Sequence, residues 1–247
     1  MDKETHLFII HLFENNYLSL SKNTYLSTLP LPTHYKLYTD HHSFFNDLKI
    51  VHIIPYHSHS KCIFVQKQNS DHLYLYSISN SHYPTSTFIF NNLNRINFLP
   101  KNLNFINKNK DFIPIGLYNE LFEQQFFQKY KDFITNKQFT SITFVGVSLN
   151  SLNSIFLAYL TTYFFHCDYI VFGYCVPSFC NKEFIQELES KLKINIVNIH
   201  QDLILKLPIW FSHSFSSIEK IPRQHLSFLH NHQYKFILQY YMKKLVI

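Results

Sequence analysis

Glycine is nearly missing from this chain of 247 residues: there are three, Gly116, Gly146 and Gly173. Average usage of roughly 7% would give about 17. Alanine is scarcer still, and Ala158 is the only one. Phe, Tyr, Ile, Asn, Lys and Leu stand where Ala, Gly and Arg are usual. That bias is expected of an AT-rich genome such as that of a virus, an intracellular parasite or a protist. It says nothing about chemistry, but it erodes motifs at Gly, Ala and Arg positions. A glycine that survives such pressure is expected where the backbone has no alternative.

Charge is also sparse. Charged residues make up 15% and hydrophobic residues 46%, which allows a sizeable core and argues against disorder. The formal charge is +6, yet the basic residues are scattered, with runs no longer than pairs such as Lys243–Lys244. A nucleic-acid partner would call for clustering on one element; a solvated surface with weak attraction to anionic lipid is the expectation. The four cysteines, Cys62, Cys167, Cys175 and Cys180, form no C-x-x-C pair and no zinc spacing. Cys175 and Cys180 are near enough to pair, but reduced, partly buried thiols are expected. No apolar window approaches the roughly 18 residues of a membrane span. The N-terminal MDKETHLFIIHLFENN is apolar only from Leu7 to Phe13 and is interrupted by His11, which is no clean signal peptide. A cytoplasmic protein follows as the expectation, in the host cytoplasm if the source is viral.

No internal repeat or Gly/Ser linker divides the chain, so residues 1–247 read as a single domain. Residues 4–20 read as a helix. Ile50–Pro55, Cys62–Gln66 and His72–Ile78 read as strands, the last two joined by a hairpin turn at KQNSD. Further on, helices are expected at Tyr118–Ile134, Leu149–Phe165, Lys182–Lys191 and Gln233–Val246. Short apolar strands alternate with them at Ile142–Val145, Tyr169–Phe172 and Ile194–Ile199. This alternation predicts an α/β fold with a mostly parallel central sheet flanked by helices and an N-terminal mixed or hairpin portion.

Ser148 falls between a buried strand and a helix, in SITFVGVSLNSL. A serine on such a sharp turn is where α/β-hydrolases hold their nucleophile, and the positions two before and two after it must be small. Gly146 meets that demand. Asn150 stands at the second position, and Ser151 can share its work. The helix beginning at Leu149 points its N-terminus at the serine, where free N–H groups favour negative charge. The alternative is that Ser148 merely caps the helix.

Downstream segments add to this. GVSLNSLNSIFLAYL resembles the G-H-S-L-G-G-A-L-A-x-L elbow and helix of the class 3 (fungal-type) lipase family of α/β-hydrolases. YIVFGYCVPSFCNKEFIQEL is similar to that family's T-F-G-x-P-x-x-G-N-x-x-F, at Phe172, Gly173, Pro177, Asn181 and Phe184. INIVNIHQDLILKLP is similar to R-V-V-N-x-x-D-x-V-x-x-L-P, at Val197, Asn198, Asp202, Leu207 and Pro208. IPRQHLSFL resembles the closing H-L-x-Y, and PIGLYNELF resembles H-x-G-F-x-x-A-Y. All three glycines fall on family glycine positions. The resemblance covers roughly residues 60–232.

What the resemblance implies is an α/β-hydrolase with Ser148 as nucleophile, Asp202 as orienting acid and His225 as general base, in the chain order Ser, Asp, His. Asp202 can instead cap a helix starting at Leu203, and His200, His213, His230 and His232 compete with His225. The oxyanion hole would combine the Leu149 N–H with a donor from the loop at Ser79 and Asn80. The family's F-R-G-T or F-R-G-S is absent from that loop, and Val147 replaces a family histidine. The segment 84–110, with Phe88, Phe90, Leu93, Ile96, Phe98 and Leu99, occupies the place of the family's lid, though ordinary packing on the sheet would suit it equally.

The implied function is a serine carboxylester hydrolase acting on lipid esters, lipase- or phospholipase-like, with transient contact to a lipid surface. No cofactor or metal is implied. The alternative is a catalytically impaired member of the fold that serves as a binding protein, favoured by the eroded oxyanion loop and by Asn150. Acyl-chain and head-group preference and oligomeric state are not legible.

Overall fold

The structure is a computed structural model. It describes residues 1–30, 45–57, 60–79, 96–98, 112–114, 125–178, 182–200, 215–222 and 234–245. Seven strands form one sheet in the order β1 (Leu48–His57), β2 (Ser60–Lys67), β3 (His72–Ser79), β6 (Ser141–Val147), β7 (Asp168–Tyr174), β8 (Lys193–Ile199) and β9 (Ile218–Ile221). The first three are antiparallel, and from β3 onward every pairing is parallel. The short strands β4 (Ile96–Phe98) and β5 (Phe112–Pro114) pair separately.

Side chains alternate across the sheet, as the pleat requires. Phe64, Leu75, Phe144, Val171 and Ile196 face one side. Ile63, Val65, Tyr76, Val145, Tyr174 and Val197 face the other. The first side is covered by α2 (Phe126–Thr135), α3 (Leu149–Thr161) and α4 (Lys182–Lys191). These are the three crossovers that carry the chain from β3 to β6, β7 and β8. Successive crossovers of one hand over neighbouring strands lay their helices on one face. The second side is closed by the two ends of the described chain, α1 (Lys3–Asn15) and α5 (Tyr234–Leu245).

α3 is buried from Ser151 through Thr161, and apart from Asn153 that stretch is apolar, aromatic or small. Its only alanine, Ala158, is wholly buried there. α2 turns Phe126, Tyr130 and Ile134 inward at a four-residue spacing. Fully burying such side chains is worth about 1.5–3 kcal/mol each.

Two helices are shorter than the sequence pattern predicts. α1 ends at Asn15, because the Asn16 amide donates to the carbonyls of Leu12, at 2.9 Å, and Pro30, at 3.1 Å. α3 ends at Thr161 and is followed by turns. The hairpin turn after β2 forms as expected, with Asn69 at φ 59°, a conformation asparagine tolerates. Of the expected helix Tyr118–Ile134, the part before residue 125 lies outside the described residues. So does most of the expected lid at 84–110, of which the strand Ile96–Phe98 is described. Among the described residues, no helix is long and apolar enough to cross a membrane.

Candidate active site

β6 ends at Val147 and α3 begins at Leu149, so one residue makes the whole connection. Ser148 does so with φ 54° and ψ −126°. A residue with a side chain pays of order 1–3 kcal/mol for such a backbone, and it persists only where surrounding structure enforces it. Here the Ser148 N–H donates to the Tyr174 carbonyl, at 2.8 Å, at the end of β7. The Ser148 carbonyl accepts from the Ser151 N–H, at 3.0 Å, and from the Ser151 hydroxyl. The Ser148 side chain makes no capping bond to the helix.

Gly146 lets the helix come this close. Gly146 and Gly173 are paired across β6 and β7. A Cβ at Gly146 would lie 2.5 Å from the carbonyl carbon of Asn150 and 2.7 Å from the Ser151 nitrogen. A Cβ at Gly173 would lie 2.6 Å from a Val176 methyl and 3.6 Å from the Ser151 Cβ. Neither glycine has positive φ; Gly146 is required for the close approach of α3, and Gly173 makes room for the Val176 side chain. Ser151, wholly buried, shares the close-packing role. Ser154, also buried, donates from Oγ to the Val145 carbonyl at 2.9 Å and ties α3 to β6. Gly116 lies outside the described residues.

Asn150 does not disturb the turn. Its backbone is helical, and its side chain points to β3, where Nδ2 donates to Ser79 Oγ at 3.0 Å and Oδ1 is 3.2 Å from the same atom. Ser79 Oγ is also 3.0 Å from Ser60 Oγ on β2. Ser79 is the last residue of β3, and Asn80 beyond it lies outside the described residues. The Ser79 hydroxyl is thus held between Ser60 and Asn150 beside the first turn of α3. The Leu149 N–H sits at that helix's N-terminus, whose first turn carries no acidic residue to offset its partial positive charge.

Because β6, β7, β8 and β9 run parallel, their C-terminal ends share one edge of the sheet. Ser148 follows β6 directly. Asp202 comes three residues after the end of β8, and His225 four residues after the end of β9. Both lie outside the described residues, as do His213, His230 and His232. His200 is described; it is exposed, and its N–H donates to the Ile221 carbonyl at 2.8 Å. The strand β9, which carries the chain towards His225, was not anticipated from the sequence.

No family model and no curated protein matches the sequence. Solved structures do match. A mutant form of the protein MDLA from Penicillium cyclopium is 10% identical, with a TM-score of 0.64 over 90% of this chain and 81% of that one. The triacylglyceride lipase of Rhizomucor miehei is 13% identical, with a TM-score of 0.56 over 90% and 80%. A triacylglycerol lipase whose catalytic centre is described as a serine protease triad is 14% identical, with a TM-score of 0.53 over 75% and 70%. This chain has the α/β-hydrolase fold of the fungal lipases.

Cys62, Cys167 and Cys175 form no disulfide, and burial raises the Cys62 thiol well above its ordinary range, so it has little thiolate to react. Cys180 lies outside the described residues. Among the described residues, no three His, Cys, Asp or Glu side chains come together as a metal site. An open groove of about 500 Å³ runs along β1 and α2, lined by His52, Ile54, Pro55, Lys129, Phe133 and Lys137 among others. Ser148 does not line it.

Proposed function

We propose that this chain is a serine carboxylester hydrolase acting on lipid esters. The observation that carries the reading is the backbone of Ser148: a strained serine, whose side chain makes no capping bond, on a one-residue strand-to-helix turn that Gly146 makes room for. Strain of this kind is retained where it serves a site.

Ser148 Oγ attacks the ester carbonyl carbon while His225 takes its proton. Asp202 holds the imidazole's tautomer and stabilises its charged form. The carbonyl oxygen becomes an anion at the N-terminus of α3, where the Leu149 N–H donates to it, with a second donor from the Ser79–Asn80 loop. The C–O bond then breaks, and the alcohol leaves with the proton from His225. Water, deprotonated by the same histidine, releases the acid from the acyl-enzyme. Support for the histidine and the acid is the shared sheet edge from which both segments leave, in the order Ser, Asp, His. Support for lipid esters is the fold's likeness to triacylglycerol lipases.

The test is hydrolysis of emulsified triacylglycerol by the parent, Ser148→Ala, His225→Ala and Asp202→Asn. The parent is expected to release fatty acid, and each variant to lose about 10⁴-fold or more in kcat. A His225→Ala protein with undiminished turnover would assign the base to another histidine. A folded parent without any esterase activity would favour a binding role instead.

A further inference from the structure

Asn150 stands where a second small residue is expected after the nucleophile, and its bulk looks like damage to the turn. Its contacts say otherwise. The backbone of Asn150 fills the space that Gly146 leaves open, while its side chain reaches across to β3. There it meets Ser79, whose hydroxyl also meets Ser60, in a three-residue polar chain across α3, β3 and β2. A glycine at 150 would leave that chain without its anchor on the helix.

We propose that Asn150 is a positioning residue, which with Ser60 fixes the end of β3 against the N-terminus of α3. The inference rests on the hydrolase reading above. On the hydrolase reading, two donors converge on one developing oxyanion: the Leu149 N–H on α3 and a second donor from the β3 side. Their separation is set by how β3 and α3 are held at this corner. The tie of Asn150 to Ser79 is the side-chain link across it, one residue from Leu149 on one side and one from Asn80 on the other. The Ser79 hydroxyl is engaged within this chain, so the Ser79 side chain holds the end of β3 rather than acting as the donor.

The proposal predicts a loss that falls on kcat. Misplacing one donor by a fraction of its working geometry costs up to about 100-fold. With p-nitrophenyl butyrate as a soluble probe, Asn150→Ala and Ser60→Ala should each lower kcat by about 10- to 100-fold and change KM by less than about twofold. The double variant should lose little more than the worse single one, because both changes break one chain. Ser60 lies on β2, away from the turn, so Ser60→Ala decides the matter if Asn150→Ala does not fold. If the parent hydrolyses the probe and Ser60→Ala turns it over at the parental rate, the positioning role is overturned and the hydrolase reading stands. Additive losses, or losses in KM alone, also overturn it. A parent that fails to hydrolyse any ester overturns both.

Discussion

Asn198, near the end of β8, accepts a 2.8 Å hydrogen bond at Oδ1 from the backbone N–H of Val176, in the loop after β7. Its Nδ2 faces the Val176 carbonyl at 3.5 Å. One buried side chain thus serves both backbone groups of a residue that follows Cys175, itself at φ 51°. Asn198→Ala would leave the Val176 N–H buried without this partner. The expected cost is about 1–3 kcal/mol, read as a lower urea midpoint at unchanged slope. Asn198→Asp keeps the acceptor but sets a buried carboxylate oxygen against the Val176 carbonyl, so it is not expected to restore the parental midpoint near neutral pH.

The strain at Ser148 is measurable as stability. Glycine adopts positive φ without the Cβ penalty. Ser148→Gly is therefore expected to be more stable than Ser148→Ala by about 1 kcal/mol, although both lack the hydroxyl. Equal midpoints for the two in urea would mean that the turn is relaxed.

The paired glycines should differ in tolerance. At Gly173 the obstacle to a methyl is the end of the Val176 side chain, which can shift; at Gly146 it is the backbone of Asn150 and Ser151. Gly173→Ala is expected to cost about 1–3 kcal/mol as ordinary overpacking. Gly146→Ala is expected to cost more and to lower kcat by at least about tenfold, because it displaces the start of α3. Thermal melts and ester hydrolysis on the two variants would show the order.

Acid should weaken the face covered by α1. Burial, then the charge of Lys235, lowers His11 from the ordinary 6.5 to about 4. Burial, then the N-terminal ammonium and His72, holds His6 well below its ordinary value as well, beside a 2.9 Å hydrogen bond to the Tyr76 hydroxyl. Both histidines are neutral when folded, so in this range the unfolded chain binds more protons and stability rises with pH. The stability present above pH 6.5 is lost as pH falls towards the folded values, through about pH 4 for His11. His11→Gln is expected to lose less stability than the parent between pH 7 and pH 4.5, measured as the difference in urea midpoints.

Much of the fold was legible because its strands are short apolar runs separated by helices with inward stripes. The sheet core from β1 to β8 and the helices α3 and α4 fall close to where periodicity puts them. β9 was not legible: Ile218–Ile221 reads IEKI, four residues with two charges in the middle, as edge strands often are. Its identity comes from pairing with β8, a non-local contact that no local pattern carries. The same holds at the site. Ser148 and Gly146 were legible as neighbours on one turn. The tie between Asn150 and Ser79 joins residues 71 positions apart, and in the sequence Asn150 showed only as a departure from a pattern. Ser60 gave no signal at all, because a serine opening a strand is ordinary.

The most direct test is to treat the folded protein with a fluorophosphonate and map the adduct by mass spectrometry. Ser148 as nucleophile predicts stoichiometric phosphonylation of its hydroxyl, absent in Ser148→Ala and strongly slowed in His225→Ala. No adduct on folded protein, or an adduct on another serine that persists in Ser148→Ala, would contradict it.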